Sequence, residues 1–546
     1  MKKILYILMI GLLASCDSLL DVEPETLVSF NNFYKTEEDL EATLYQLADF
    51  MGREGVAGAG TQATMGRITE WTADLEHTWE PINVVGSSGI VASKNCDWAE
   101  TYYIIYMANV LLDNMSNAKA NVTSERMDFY RAQAYFCKAW AYFYLGREWG
   151  EVPITRNSYS NEVYAKKPIL EVLDTVISNA TRAYNMLPVH SALVNRLGVP
   201  ITSKQFGSKG TACALLAHVY AWKGSVIDLM GLEGDSKECY NKSIEYASRL
   251  IKGEVGNYSL VRDPEKLCQI FSNNEMSNPE AIFEYSLDTQ NDYIASTYLF
   301  GMSYVGYPIR PGVAEGDQQR RDPKIAYTTI RALYDTLDLR RDAYFYRYSY
   351  YSTDTVNLMF TGKEYTEAQR LYKRDSVRTR INQLTGGIAY PFKWRVGMYK
   401  SDPYSPTGIK LIAMKSNYAY LRLSEIYLLR AECYVKIGEN DLAEGDLNEI
   451  RSCNNVKKFP NSGGDEKGLK YAVFHERERE LLMEGHRFYD IVRNGMEYIN
   501  TYLPGAFKTL TISDVKSGAL FYPIHESAFE KNAILRQNVY WAQYLN

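Results

Sequence analysis

The chain has 546 residues, and 60 lysines and arginines against 66 aspartates and glutamates give it a net charge of −6 at pH 7. An acidic chain carries no general positive field for phosphate backbones, which excludes nucleic acid as its main partner. After the N-terminal segment, no run of about 20 apolar residues occurs, so the sequence predicts no membrane-spanning helix.

The N-terminus has the pattern of an export signal. Lys2 and Lys3 precede an apolar run, and the small residues of Leu13-Ala14-Ser15 lead to Cys16. The apolar run is too short to span a membrane, and a cysteine at the cleavage point resembles a bacterial lipobox. We therefore predict that residues 1–15 are removed, which changes the net charge from −6 to −8, and that Cys16 is lipidated. The alternative is an apolar N-terminal helix with a chance cysteine.

The other cysteines indicate packing and not chemistry. They are odd in number, form no CxxC pair and mostly stand among apolar helical neighbours, so we predict small buried core residues. A disulfide stays open, without an assignable pairing. The residues are Cys96, Cys137, Cys213, Cys239, Cys268, Cys433 and Cys453.

One pattern recurs in the helical stretches: an alanine, a tyrosine three residues later and a glycine four residues after that. It is typical of tetratricopeptide repeats, in which the alanine admits a partner helix, the tyrosine fills the groove and the glycine ends the helix. The copies are Ala139/Tyr142/Gly146, Ala217/Tyr220/Gly224 and Ala431/Tyr434/Gly438, the last followed by Ala443. Their uneven spacing indicates an all-α-dominated scaffold of helix pairs that carries insertions.

Two irregular stretches interrupt this scaffold. Residues 253–417 are loop-rich and aromatic, with short strands expected in places such as Ala343–Tyr351. Residues 51–95 contain Trp71, Trp79 and many glycines. Loops on a rigid scaffold often carry function, so we expect binding residues in both stretches.

The segment His475–Arg487 is the most charge-dense, but its pattern favours a structural role. His475-Glu476 begins like a HExxH zinc motif, yet Arg479 stands where the second histidine belongs. Glutamates and arginines three and four residues apart instead predict ion pairs along the helix or to a neighbour. Asp74 and Glu76 beside Trp79 do not establish a glycosidase pair, because such carboxyls must stand about 5 to 9 Å apart.

These features together resemble the SusD/RagB family of surface glycan-binding lipoproteins. The resemblance is an ordered series over nearly the whole chain, with Ser424 and His525 as small departures. The matching segments are Leu20–Pro24 after the lipid cysteine, Phe33–Leu40, Trp98 through Tyr102 to Asn109, Arg131–Pro153 with Trp149-Gly150, Arg422–Arg451, Glu476–Asp490 and Tyr522–Asn538.

The resemblance implies a SusD-like fold and a role in nutrient uptake. Such a protein is anchored to the outer membrane, faces the cell surface and passes a glycan to a SusC-like TonB-dependent transporter without being an enzyme. No cofactor is expected, and structural calcium stays open without an EF-hand motif. The expected organisation is a signal peptide over 1–15, a lipidated tether over 16–35, first repeats over 36–252, a ligand-binding insertion over 253–417 and last repeats over 418–546.

Sugar rings stack on aromatic side chains while their hydroxyls need fixed polar partners. Trp98, Trp140 and Trp149 lie on helices of the resemblance, so we assign them to packing. The expected glycan contacts lie in the two irregular stretches and are Trp79, Asn83, Asn291, Tyr293, Tyr298, Tyr304, Tyr307 and Arg310.

Two other functions stay open at this point. The chain is alternatively a helical-repeat lipoprotein that binds a protein and has no sugar site. Less favoured is a lipid-anchored glycoside hydrolase. Retention of a glycan separates the first alternative from glycan capture, and product release from an oligosaccharide identifies the second.

Overall fold

A computed structural model describes residues 33–61, 96–286, 325–348, 378–379, 388–404, 408–461, 465–503 and 505–542. Helices dominate this part of the chain. They are α1 (Glu37–Thr61), α2 (Ala99–Asn114), α3 (Ser124–Glu148), α4 (Ile169–Met186), α5 (Lys209–Met230), α6 (Ser236–Ile251), α7 (Pro264–Phe271), α8 (Tyr327–Leu333), α9 (Arg340–Ala343), α10 (Leu423–Ile437), α11 (Asn440–Cys453), α12 (Leu469–Glu480), α13 (Arg487–Asn494), α14 (Met496–Tyr502), α15 (Ile512–Lys516), α16 (Glu526–Lys531) and α17 (Val539–Ala542).

The strands are short and form small antiparallel sheets. They are β1 (Val152–Pro153), β2 (Lys166–Lys167), β3 (Ala281–Tyr285), β4 (Ile325–Ala326), β5 (Phe345–Tyr348), β6 (Arg378–Thr379), β7 (Ile388–Pro391), β8 (Gly397–Ser401), β9 (Ile409–Met414) and β10 (Tyr418–Arg422). Strand β1 pairs with β2, β3 with β10 and β8 with β9, while β4, β7, β5 and β6 form one sheet in that order. The pair β3–β10 joins a strand inside the predicted insertion to the strand that directly follows it, and the boundaries of the insertion stay predictions.

The helices stack in chain order. Each of α1 to α5 packs against the next, α6 packs against α10, and α10 packs against α11 and α12. Helix ends are closed locally, as at α5, where Ser208 and Thr211 form a capping box and Gly231 ends the helix at φ +60°. The predicted scaffold of helix pairs is confirmed. Among the described residues, no helix has both the length and the apolar character to cross a membrane.

Two of the three repeat glycines have a different role from the one predicted. Gly438 ends α10 with φ +87°, as expected. Gly146 and Gly224 instead lie inside α3 and α5. A Cβ atom on Gly146 would lie 3.2 Å from Val172 Cγ1, and one on Gly224 would lie 2.8 Å from Tyr240 Cε1. These two glycines therefore allow the partner helices to approach closely, and the prediction that they end helices is wrong.

The close approach at Gly224 gives a test of the stacking. We expect Gly224→Ala to lower the free energy of unfolding by about 1–3 kcal/mol, because the new methyl group also meets the Ser236 carbonyl at 3.0 Å. Gly445→Ala in α11 is the matched control, since nothing lies within 4 Å of its Cβ position. In denaturant unfolding, Gly445→Ala should raise the free energy of unfolding by about 1 kcal/mol, because alanine has a higher helix propensity than glycine. Equal effects of the two substitutions would contradict the close approach.

Other core predictions are confirmed in the described residues. The seven cysteines are buried. Burial raises the pKa of the Cys137 thiol to about 12, so it is inert at neutral pH. Trp98, Trp140 and Trp149 are all buried in the main core. Strand β5 falls within the predicted Ala343–Tyr351 stretch, after the short helix that ends at Ala343.

Buried ion pairs connect the last helices to the strands. The Arg422 guanidinium lies 2.9 Å from Glu280 Oε2, 2.8 Å from Glu480 Oε1 and 2.7 Å from Glu484 Oε2. Arg422 ends β10, Glu280 precedes β3, and Glu480 ends α12. This group, which we call the ionic core, therefore holds three separate parts of the chain together.

Neighbouring arginines extend the ionic core. Each contacts two or three carboxylates, and all are buried. Arg340 binds Asp338, Glu476 and Glu480; Arg477 binds Glu425 and Asp490; Arg451 binds Asp465 and Glu476. Arg479 also binds Glu476 at 2.7 Å, one turn away. The structural role predicted for His475–Arg487 is confirmed.

The ionic core changes the protonation of its carboxyls. Burial alone would raise the pKa of Glu480, but the charges of Arg422 and Arg340 outweigh burial and lower this pKa to about 2. Because the folded-state pKa is below the unfolded one, Glu480 stabilises the fold above about pH 4.5. That stabilisation is lost as the pH falls toward 2.

We expect Glu480→Gln to make the loss of stability between about pH 4.5 and 2.5 shallower than in the wild type. The glutamine cannot take up the proton that Glu480 takes up on unfolding. Denaturant unfolding at a series of pH values measures this slope. The control is Glu530→Gln, which removes one carboxyl at an exposed position outside the ionic core. An identical slope for Glu480→Gln and the wild type would contradict the low pKa.

Candidate functional site

The predicted lipid and glycan residues lie outside the described residues, so they stay predictions. They belong to three stretches, residues 1–32, 62–95 and 287–324. The residues concerned are Cys16, Trp79, Asn83, Asn291, Tyr293, Tyr298, Tyr304, Tyr307 and Arg310.

The described residues next to these stretches form a face that is rich in exposed aromatic rings. It lies on the outer side of α1 and on the adjoining side of α2. We call it the α1 face and define it by Tyr45, Asp49, Phe50, Arg53, Tyr103 and Tyr106. Tyr103 and Tyr106 are each 38% exposed, and Tyr45 is 47% exposed.

The helical period of α1 explains why this face is open. Leu40, Leu44, Leu47 and Met51 are buried and turn one side of the helix to the core. With 3.6 residues per turn, Tyr45 and Phe50 then fall on the two opposite flanks of the exposed side. Asp49 and Arg53, both half-buried, lie between these flanks. The helix thus presents two aromatic edges with polar groups between them.

Ring contacts hold the aromatic edge toward α2 in place. The Phe50 and Tyr103 ring centroids are 4.8 Å apart with the planes at 77°, and Tyr103 lies 6.1 Å from Tyr106. The Arg53 guanidinium lies 5.4 Å from the Phe50 ring centroid and 2.7 Å from the Asp49 carboxylate. Edge-to-face packing is a favoured arrangement of aromatic pairs, so the Phe50–Tyr103 contact helps to hold this edge against α2.

The stretch 62–95 separates, in sequence, the two helices that carry this face. It follows Thr61 at the end of α1 and returns at Cys96 before α2. The return is fixed, because Trp149 Nε1 donates to the Cys96 carbonyl at 3.3 Å and the Trp149 ring lies 5.9 Å from that of Trp98. The tryptophans predicted to pack therefore also anchor the start of α2.

The stretch 287–324 begins next to the same helix. Its neighbour Ser286 donates its backbone N–H to Gln205 Oε1 at 2.9 Å, and Gln205 Nε2 donates to the Ala48 carbonyl of α1. In sequence, the stretch 62–95 thus follows α1 directly, and the stretch 287–324 follows a residue that is linked to α1 through Gln205. Whether their side chains reach the α1 face stays a prediction.

The sequence analysis missed Tyr103 and Tyr106, although a signal was present. Ile104, Ile105 and Ala108 are buried in α2, and the two tyrosines are three residues apart on the opposite side. The helical period of the segment would have placed both outside the core. The prediction for this segment assigned Trp98 to packing and named neither tyrosine.

The described residues offer no metal centre. They contain no group of three or more histidine, cysteine, aspartate or glutamate side chains that could hold an ion. His475, which opens the incomplete zinc motif, binds Glu478 through Nδ1 and faces the Tyr502 hydroxyl at 3.4 Å through Nε2. Its neighbours therefore satisfy both ring nitrogens.

Two family models match the chain. One, described as the SusD family, covers residues 233–541. The other, described as starch-binding and associating with the outer membrane, covers residues 19–220. Together they span the scaffold, the ionic core and the α1 face.

Individual relatives agree with these matches. A SusD-like protein of Formosa agariphila is 23% identical over 90% of this chain and 89% of its own length. The starch-binding protein SusD of Bacteroides thetaiotaomicron is 32% identical over 29% of this chain and 27% of its own length.

Solved structures have the same fold. A SusD homologue from Bacteroides thetaiotaomicron gives a TM-score of 0.64 at 18% identity, over 93% of this chain and 99% of that one. Bacteroides fragilis NanU gives 0.63 at 18% identity, over 94% and 99%. With a family model that matches more than half of its length, the chain belongs to the SusD family.

Proposed function

We propose that this protein captures an oligosaccharide or polysaccharide at the outer membrane and delivers it to a SusC-like TonB-dependent transporter. The observation that supports capture most directly is the α1 face, with exposed rings at Tyr45, Tyr103 and Tyr106 on a rigid helix pair. The family supports the same function, since one matching family model is described as starch-binding and associating with the outer membrane.

The chemistry of the α1 face suits a carbohydrate. The C–H face of a pyranose packs on an aromatic ring, while hydroxyl groups exchange hydrogen bonds with fixed polar groups. The Asp49 carboxylate accepts such bonds and the Arg53 guanidinium donates them. Since their 2.7 Å ion pair balances their charges, the described face suits neutral sugars. The predicted contacts from Trp79 to Arg310 would enlarge this surface.

We propose binding without catalysis. Paired carboxyls that work as acid and base need different protonation states and access to the sugar. Glu480 and Glu484 stand close together, but both are buried and bound to Arg422. Neither of these two residues is therefore assigned a catalytic role.

Attachment to the membrane is proposed through Cys16 alone. Lipid chains on this residue would hold the protein at the outer membrane, with the helical scaffold outside the bilayer. Delivery to a transporter is proposed from the family resemblance, in which the scaffold faces the channel.

We expect the double substitution Tyr103→Ala and Tyr106→Ala to weaken glycan binding about tenfold, because each ring contributes about 0.5–1.5 kcal/mol. A panel of polysaccharides in affinity gels identifies a retained glycan, and calorimetry then gives its affinity. Tyr159→Ala is the matched control, since Tyr159 is 75% exposed on a loop between β1 and β2. The same measurement on Trp79→Ala tests that predicted platform.

Unchanged affinity of the double variant, with its fold intact by circular dichroism, would remove the α1 face from the binding site. If a wide panel retains no glycan at all, the chain is better explained as a helical-repeat lipoprotein that binds a protein. Product release from an oligosaccharide by the purified protein would favour a hydrolase.

We expect Cys16→Ser to move the protein from the membrane fraction to the soluble fraction, because the thiol is the only proposed attachment point for lipid. Fractionation of expressing cells and metabolic labelling with a fatty acid measure both effects. Cys239→Ser, at a buried free thiol, is the control and should keep the label. Continued membrane association of Cys16→Ser would contradict the anchor.

A further inference from the structure

The segment Ser203–Phe206, which we call the 203–206 strap, lies between α1 and the end of β3. It packs against the flank of α1 that carries Tyr45, away from the Phe50 edge. The Phe206 ring is buried and meets the Tyr45 ring edge-on, with the centroids 5.1 Å apart. The strap therefore contacts one aromatic edge of the α1 face directly.

Gln205 connects the two elements with a single side chain. Its Nε2 donates to the Ala48 carbonyl of α1, and its Oε1 accepts from the Ser286 backbone N–H at 2.9 Å. The first contact needs a donor and the second needs an acceptor. The Gln205 amide satisfies both at once, whereas a carboxylate of the same length cannot donate and an alkyl side chain can do neither.

The sequence of α1 is adapted to this contact at Gly52. Glycine inside a helix is unfavourable compared with alanine, so its presence needs a reason. A Cβ atom on Gly52 would lie 2.8 Å from Gln205 Nε2, closer than real Cβ contacts. Gly52 therefore leaves the space through which the Gln205 amide reaches the Ala48 carbonyl.

The rest of the strap is fixed to β3 and its surroundings. Ser203 Oγ and Ser286 Oγ are 2.8 Å apart, and the Glu284 N–H donates to the Lys204 carbonyl at 3.3 Å. Lys204 Nζ donates to the carbonyls of Asn278 and Ala281, both at 2.7 Å. The strap is thus tightly held at the β3 side, and Gln205 extends this attachment to α1.

We propose that Gln205 is a positioning residue for glycan binding, which holds α1 and its exposed rings at a fixed place relative to β3. The proposal rests on the proposed function and adds a residue that does not touch the sugar. Gln205 acts through the backbone of Ala48, which lies between Tyr45 and Phe50 in the same two turns of helix.

The first test is Gln205→Ala in the full chain, with calorimetry on the glycan retained by the wild type. We expect affinity to fall about tenfold, as for the loss of two hydrogen bonds that order the site. Gln537→Ala is the matched control. Gln537 lies near the C-terminal end of the chain, and its amide also makes two hydrogen bonds to backbone. Its Oε1 accepts from the Ile524 N–H and its Nε2 donates to the Ile524 carbonyl, both at 2.9 Å. The Gln537→Ala variant should lose thermal stability while keeping the wild-type affinity for the glycan.

Gly52→Ala distinguishes a loss of positioning by Gln205 from a general loss of stability, because its effect on glycan affinity should depend on whether Gln205 is present. In the wild-type background the new methyl group displaces the Gln205 amide, so affinity should fall by a factor similar to that of Gln205→Ala. In the Gln205→Ala background the space is free, and Gly52→Ala should cause no further loss. Additive losses in this double-mutant cycle would overturn the proposal.

Hydrogen exchange of the glycan-free protein tests whether Gln205 holds α1 in place. Gln205→Ala should speed exchange of the α1 amides around Ala48, whereas Gln537→Ala should not. If the wild type binds a glycan and Gln205→Ala binds it equally well, the inference alone is overturned. If the wild type binds no glycan of the panel, the proposed function has failed and the inference falls with it.

Discussion

The described architecture depends on the ion pairs that the buried Arg422 guanidinium forms. The guanidinium meets Glu280, Glu480 and Glu484, and so joins three distant parts of the sequence: the end of β10, the residue before β3 and the end of α12 with the turn after it. Burying charges costs free energy, and the attraction between them repays this cost only when every partner is in place. Removing one partner would cost about 3–5 kcal/mol, because it leaves an uncompensated buried charge. The ionic core therefore favours a single arrangement of strands and last helices.

A continuous series of contacts leads from this core to the α1 face. Arg422 ends β10, which pairs with β3 from Tyr418 opposite Tyr285 to Arg422 opposite Ala281. The chain after β3 continues to Ser286, which binds the strap through Gln205, and Gln205 binds α1. The C-terminal scaffold thus helps to place an N-terminal helix, although the two are far apart in sequence.

Local patterns in the sequence predicted the parts of the fold that depend on neighbouring residues. The alanine–tyrosine–glycine pattern located α3, α5 and α10, but the role of Gly146 and Gly224 was wrong because close packing by Val172 and Tyr240 is a tertiary effect. The charge-dense segment was correctly assigned to structure. Its pairing with Arg340 and Arg422, more than 50 residues away, was beyond any local pattern.

The candidate site was less accessible to sequence reasoning. Aromatic residues are abundant, with 45 tyrosines in the chain, and tertiary packing decides which of them are exposed. Tyr103 and Tyr106 had a helical signal, because they lie opposite the buried Ile104, Ile105 and Ala108, but the prediction for this segment considered only Trp98. Gln205 and Gly52 had none, because their meaning depends on a contact between residues 153 positions apart. The predicted contacts from Trp79 to Arg310 stay predictions.

The most direct test of the account is a crystal structure of the full chain with the oligosaccharide that binds best in the glycan panel. We expect a sugar ring packed on Tyr103, Tyr106 or Phe50, with hydroxyl groups near Asp49 and Arg53. A glycan bound on the opposite side of the scaffold, with the α1 face free, would contradict it.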